Sequence, residues 1–280
     1  MADSTDMPLA RAAHRIVEPI HTLVYFVPEG RERYAAAGVE GSMRSYFASR
    51  SAPLGIAPAD LVIATFYNFA PERVRRAIPS VWESTTPERV LAARLEVVDA
   101  AMRRMLPDDI DSDAMGEAAS LASTACEAAD VVGRPLYAGH AALPWPEAPH
   151  LQLWHATTLL REHRGDGHIA ALVLAGLSGI EAAVTYVATG HSDLNEELQR
   201  STRGYTEEEW QACKDSLRSR GLLDDSDALT AAGTAMRDGV EAQTDVAAAA
   251  PYDHLGPDKT QRLIELLRPW ARSITKQTFG

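Results

Sequence analysis

Residues 216–245 read SLRSRGLLDDSDALTAAGTAMRDGVEAQTD, and the fold turns on how this stretch is parsed. Gly221 ends a helix, because glycine takes the left-handed position after a C-terminus without a Cβ penalty. Leu222 and Leu223 lead into a strand, Asp224–Asp227 form an acidic turn, and Leu229 returns. Thr230 then caps a new helix, with Gly233 in its first turn. Upstream, TEEEWQACKDSLRSRG (206–221) predicts a helix with Thr206 as cap and Glu209 in the reciprocal capping-box position. The pattern is helix, small two-stranded wing, long helix.

Outward from this module the periodicity is helical throughout. Residues 8–26 predict a helix with Ala12, Ile16, Ile20, Leu23 and Val24 on one stripe. Helices follow over 31–37, 42–50, 58–68 and 71–78. TTPERVLAARLEVVDAAMRRML (85–106) predicts another, with Thr86 as cap, Pro87 in the first turn and Glu88 favouring the positive end of the helix dipole. Further helices are expected over 114–131, 150–163, 168–176, 178–189, 192–198, 230–249 and 257–275. The fold class is therefore mainly all-α, a helical N-terminal region plus a C-terminal winged-helix-like module with a small β-wing. The expected division is 1–107, 108–190 and 191–280.

Composition agrees with a helical globular chain. The 280 residues are 46% hydrophobic and only 6% aromatic, and the net charge is -12. No apolar run reaches about 18 residues, so no membrane span is expected. The first residues carry no apolar signal core, which makes the expected location cytoplasmic. Cys126 and Cys213 fit neither a metal spacing nor a disulfide framework.

The segment around Arg220-Gly221-Leu222, Asp224–Asp227 and Leu229-Thr230 resembles the end of the MarR-like winged-helix module. The wider chain resembles an actinobacterial helix-turn-helix family of about this length. The matching stretches are YFASRSAPLG (46–55), ATFYNFAPERVRRAIPSVW (64–82), LPWPEAPHLQLWHATTLLREHRGDGHIAALVLAGLSGIEA (143–182) and RGYTEEEW with RGLL, LTAAG and EAQTD (203–245). The resemblance implies a shared fold and brings no reaction with it. Where the family often has His, this chain has Ala70.

Charge opposes the usual use of such a module. Between Thr206 and Thr230 the basic residues Lys214, Arg218 and Arg220 face seven acidic ones, Glu207, Glu208, Glu209, Asp215, Asp224, Asp225 and Asp227. Over 191–280 the count is 11 basic against 16 acidic. Affinity for DNA rests largely on neutralising phosphates, and bases are read from the first turns of the recognition helix. Here that turn is Glu-Glu-Glu, so DNA is not an expected partner.

Two polar clusters are candidates for ligand binding. In LWHATTLLREHRGDGH, Trp154, His155, Thr158, Arg161 and Glu162 share one side of a helix. His163, Arg164, Asp166 and His168 then crowd a turn expected at Gly165 and Gly167. This cluster suits anion binding, a His/Asp acid–base pair or a His-rich metal site. The metal reading is the weakest, since His163 and His168 lack the i, i+4 spacing and no Cys is near. The alternative is a buried corner, with Asp166 capping the next helix. In ATFYNF, Phe66, Tyr67 and Asn68 suit the wall of a mostly apolar pocket, or ordinary core. Tyr46 and Arg50 lie one helical turn apart, and Arg50 suits a carboxylate or phosphate.

No phosphate-binding loop, nucleophile elbow, HExxH or dinucleotide fingerprint occurs, so no catalytic residue, metal site or cofactor is assigned. The expected partner is a small-molecule ligand held by Tyr46, Arg50, Phe66, Tyr67, Asn68, Trp154, His155, Thr158, Arg161, His163, Arg164 and His168. The alternative is a DNA-binding regulator of MarR type, with RVRR (73–76) and Arg103-Arg104 as its local basic clusters. A homodimer is expected through the first helix or through 257–275, where Leu263, Leu266, Leu267 and Trp270 form an apolar stripe.

Overall fold

The structure is a computed structural model, and it describes residues 8–190, 192 and 195–280. The helices are α1 (Leu9–Phe26), α2 (Glu29–Ala36), α3 (Ser42–Ser51), α4 (Ala59–Phe66), α5 (Pro71–Arg75), α6 (Pro87–Met105), α7 (Asp113–Cys126), α8 (Pro135–Ala141) and α9 (Pro149–Leu174). They continue with α10 (Gly179–Ala188), α11 (Glu196–Arg203), α12 (Glu207–Ser219), α13 (Ala231–Ala247), α14 (Ala250–Leu255) and α15 (Pro257–Phe279). The start of the short helix expected from 192 includes Asp193 and Leu194, which lie outside the described residues, as do residues 1–7. No single described helix is long and apolar enough to cross a membrane.

The chain divides into two compact units, each assembled from separated segments. Unit 1 is 1–56, 81–166 and 245–280, and unit 2 is 57–80 and 167–244. Residues 107 and 190, where the expected regions end, fall inside unit 1 and unit 2 respectively. The division passes through α9 after Asp166 and through α13 after Thr244.

In unit 1, α1 packs along α15 and against α6, and α7 packs on α14 and α15. Ile20, Leu23, Phe47, Met102, Met115, Leu136 and Leu153 are among its fully buried side chains. The α6 start follows its sequence, since the Thr86 hydroxyl accepts the Arg89 N–H and Pro87 occupies the first turn. In unit 2, Trp210, Leu217, Val184 and Leu223 form one apolar cluster, and Leu172, Leu177, Ala182 and Val240 form another. Both Thr206 with Glu209 and Ser178 with Glu181 complete capping boxes.

Two expectations need correction. The two-stranded wing is absent, for no strand occurs among the described residues and a single antiparallel bridge joins Leu223 to Leu229. The acidic turn is stabilised locally instead. The Asp224 carboxylate accepts the backbone N–H groups of Ser226 and Ala228, and the Thr230 hydroxyl accepts the Gly233 N–H. These side-chain bonds join backbone bonds from Asp224 N–H to the Ala228 carbonyl and from Thr230 N–H to the Leu222 carbonyl, so the turn closes on one bridge without extending into strands.

The second correction concerns the turn expected at Gly165 and Gly167, which does not exist. Helix α9 runs unbroken from Pro149 to Leu174. Glycine inside a helix costs roughly 0.5–1 kcal/mol, and burial outweighs it, since every residue from Leu153 to Leu160 is buried. Asp166 therefore has no following helix to cap. Its carboxylate instead accepts the Tyr137 N–H at 2.8 Å, in the first turn of α8, which places Asp166 at the start of a helix distant in sequence.

Close approach decides two glycines. A Cβ on Gly179 would stand 2.0 Å from the Tyr67 carbonyl oxygen, whereas one on Gly116, within α7, would meet nothing within 4 Å. Gly179→Ala is expected to destabilise the protein by roughly 1–3 kcal/mol through forced backbone movement. Gly116→Ala should stabilise it by about 0.5–1 kcal/mol through unfolded-state entropy and helix propensity. Urea unfolding of both variants checks the pair, and equal effects of the same sign would contradict the packing described.

Candidate functional site

The polar face of α9 expected from sequence lies inside unit 1 and is almost sealed from solvent. Trp154, His155, Thr158 and Glu162 are buried, with Glu162 only 1% exposed. Helix α1 supplies Glu18, His21 and Tyr25, α3 supplies Tyr46 and Arg50, α6 supplies Arg94, and α8 supplies His140. Gly139 permits the last placement, because its Cβ would stand 2.9 Å from the Pro53 carbonyl oxygen in the turn that follows α3.

Glu162 is the anionic centre. Its Oε2 accepts Arg161 Nη1 at 2.7 Å and Arg50 Nη2 at 3.5 Å. Burial alone would raise its pKa, but Arg161 and Arg50 outweigh that and hold the carboxyl well below its usual range. Arg161 also reaches Glu18 at 3.3 Å. Arg50 donates to the Tyr46 hydroxyl at 3.0 Å.

His21 stands on the other side of the carboxylate. Its Nδ1 lies 3.0 Å from the Thr158 hydroxyl, which itself donates to the Trp154 carbonyl at 3.0 Å. Its Nε2 lies 3.8 Å from Glu162 Oε1, beyond hydrogen-bond distance, and neither atom has a hydrogen-bond partner.

The remaining groups are also incompletely satisfied. Arg94 is 2% exposed, donates to the Ser49 carbonyl at 2.6 Å and the Tyr25 hydroxyl at 3.1 Å, and lies over the Tyr25 and Trp154 rings. No carboxylate pairs with it among the described residues. Its Nε, His140 Nε2 and His155 Nε2 are buried without partners. His155 packs edge-on against Trp145, with ring centroids 4.8 Å apart. Burial first, then Arg94, lowers the pKa of His140 well below its ordinary value and that of His155 to about 4. Burial likewise lowers His21, with Glu162 opposing, and raises Tyr25 to about 12. The core therefore holds three guanidinium groups, Arg50, Arg94 and Arg161, against two carboxylates, Glu18 and Glu162, with neutral imidazoles beside them. Among the described residues no cluster of three or more His, Cys, Asp or Glu side chains is arranged to hold a metal ion.

The twelve residues expected to bind a ligand are thus sorted into groups. Tyr46, Arg50, Trp154, His155, Thr158 and Arg161 converge in unit 1. His163 and Arg164 belong to the same unit but serve other contacts. His163 packs edge-on against Tyr137 at 5.3 Å, and Arg164 pairs with Asp245 at 3.0 Å. Phe66, Tyr67, Asn68 and His168 lie in unit 2, where His168 Nδ1 is 2.9 Å from the Thr244 hydroxyl. His21, Arg94 and His140 were missed. The signal for Arg94 is a cation on the apolar stripe of α6, between Val90 and Val97-Val98. For His21 it is an imidazole on the apolar stripe of α1, beside Ile20, Leu23 and Val24.

In unit 2 the basic residues of the wing region are already neutralised. Lys214 pairs with Glu196 and, at 3.1 Å, with Asp227. Arg218 pairs with Asp215 and Asp227, and Arg220 with Glu181.

A family model described as a helix-turn-helix family matches residues 10–279. No curated protein matches the chain, and no solved structure does.

Two outcomes follow from the buried cluster. Arg161→Ala leaves Glu162 with only the longer contact to Arg50, and breaking a buried pair in this way costs about 3–5 kcal/mol, measurable by urea unfolding. Stability should also fall as pH drops below about 6.5, because unfolded histidines take up protons that the fold refuses: burial holds His21 and His140 well below their ordinary pKa, and lowers His155 and His163 to about 4. Each contributes up to about 1.4 kcal/mol per pH unit in that window. Asp166, raised to about 6 mainly by burial, works in the opposite sense as it protonates. Unfolding midpoints at pH 7.5 and 5.0 decide the net sign, and an unchanged or higher midpoint at pH 5.0 contradicts the neutral imidazoles.

Proposed function

Since the chain belongs to a helix-turn-helix family, we propose that it is a member that binds a small molecule at the polar core of unit 1 and does not grip duplex DNA through residues 206–230. One observation carries the ligand reading. Five buried polar atoms in that core, His21 Nε2, His140 Nε2, His155 Nε2, Arg94 Nε and Glu162 Oε1, lack hydrogen-bond partners. Folded proteins leave few such atoms, because each costs about 1–3 kcal/mol when unmade. A ligand that donates a hydroxyl or N–H to Glu162 Oε1, hydrogen-bonds the imidazole nitrogens and presents an anionic group to Arg94 satisfies both the orphaned atoms and the surplus positive charge. The core is closed around these groups, so entry requires its side chains to part.

The charge distribution around α12 fits this reading. The α12 start is acidic, and Lys214, Arg218 and Arg220 are each held by carboxylates. A phosphate would have to displace those partners before gaining anything. The second reading, a MarR-like DNA-binding regulator, draws on the family itself and on Arg73, Arg75 and Arg76. Of these, Arg75 already pairs with Asp60 at 2.6 Å.

His140→Leu tests the ligand reading, because it removes an orphaned polar group while keeping an apolar residue of similar size. Stability should hold or rise, while ligand is lost. In native mass spectrometry the wild type, exposed to the low-molecular-mass fraction of a cell extract, should carry an added mass that the variant lacks. A bare-chain mass for the wild type, with no rise in its melting temperature, overturns the reading. For DNA, anisotropy at about 50 mM salt, where phosphate contacts are strongest, should show no submicromolar binding. Submicromolar affinity abolished by alanine at Lys214, Arg218 and Arg220 favours the regulator.

A further inference from the structure

Unit 2 contains a cavity of about 170 Å³ lined by Asn68, His168, Gln199, Arg203, Arg237 and Glu241, together with Ala182, Ala183 and Tyr186. At about 30 Å³ per water it has room for roughly five waters, or for a molecule of similar bulk. Two of its wall residues have polar atoms with no partner. Gln199 is 5% exposed and its Oε1 accepts no hydrogen bond. Arg237 is also 5% exposed, its Nε donates to nothing, and its ion pair with Glu241 is long at 3.6 Å. Burial lowers the Arg237 pKa, with Glu241 opposing. Its guanidinium remains a cation at neutral pH. Arg203 adds a second guanidinium, laid over the Phe69 ring at 4.7 Å. The wall thus carries two guanidinium charges and one carboxylate.

The backbone beside the cavity is held in an uncommon form. Tyr67, the residue before Asn68, ends α4 with φ 51° and ψ -56°, a conformation that L side chains rarely adopt. The Tyr67 hydroxyl donates to the Leu177 carbonyl, and Gly179 admits the Tyr67 carbonyl where any side chain would clash. These contacts fix the turn that presents Asn68 to the cavity. Strain of this kind persists only where the surroundings impose it, and it gathers at binding sites.

We propose that this cavity is a binding site for a small organic anion, a carboxylate of about three to five carbons that also carries a hydroxyl or amino group. The carboxylate accepts from the Arg237 guanidinium, whose Nε is unpartnered and whose ion pair with Glu241 is long. The hydroxyl or amino group donates to Gln199 Oε1. The Ala182 and Ala183 methyl groups and the Tyr186 ring enclose the short carbon chain. The volume suits a small ligand, and a planar guanidinium favours the bidentate geometry of a carboxylate. The proposal stands on residues of unit 2 alone and does not depend on the unit 1 ligand.

Isothermal titration of the full-length protein with 2-hydroxybutyrate, butyrate and inorganic phosphate tests it. The wild type should bind 2-hydroxybutyrate most tightly. Arg237→Gln should weaken binding of both carboxylates about tenfold or more. Gln199→Leu should remove the preference for 2-hydroxybutyrate over butyrate, which keeps the test informative if Arg237→Gln fails to fold. Phosphate binding as tight as that of 2-hydroxybutyrate refutes the carboxylate assignment. No heat from either carboxylate at 10-millimolar order concentrations, or binding indifferent to both substitutions, overturns the site.

Discussion

The ion pair between Glu162 and its two arginines is the constraint around which unit 1 is arranged. A carboxylate 1% exposed to solvent survives in a helical core only if cations meet it there, and Arg161 and Arg50 do so from α9 and α3. Once that charge is fixed, its neighbours follow. Arg161 draws in Glu18 from α1, and Arg50 draws in Tyr46. Burial keeps His21 neutral beside the remaining carboxylate oxygen. A purely apolar core would stabilise the same helices with fewer penalties, so the retention of so many polar groups in one place argues for a use beyond packing.

Much of the architecture was legible because helix ends obey local rules. Thr86, Thr206 and Thr230 cap the helices that their positions predicted. The long stripe of 257–279 and the amphipathic α1 follow their periodicity. Two errors share one cause. Gly165 and Gly167 were read as a break, and Leu222-Leu223 as a strand, on local propensity alone. Burial of most of α9 carried the helix through its glycines, and local bonds closed the Asp224–Asp227 turn on a single bridge that does not extend into strands.

The candidate site was half legible for a related reason. Trp154, His155, Thr158 and Arg161 stand out as polar residues with helical spacing on one face. Their partners come from α1, α6 and α8, where a single His or Arg interrupts an apolar stripe and no local rule says what it will meet. Arg94 and His140 became part of the site only when the packing of α6 and α8 was known. The sequence clusters LWHATTLLREHRGDGH and ATFYNF looked like walls of a single pocket, yet they contribute to two units, each with its own unsatisfied polar groups.

The segmentation of unit 1 bears on how the chain is made. Its three segments lie at the beginning, middle and end of the sequence, and α1 packs along α15. A ribosome delivers α15, one of the partners of α1, only after the whole of 167–244 has emerged. The face of α1 that meets α15 waits uncovered until then. Contacts so distant in sequence slow folding and leave surface open to aggregation in the interval. Unit 2, whose larger segment is continuous, has no such delay, so the order of assembly on the ribosome runs opposite to the order of the helices at the N-terminus.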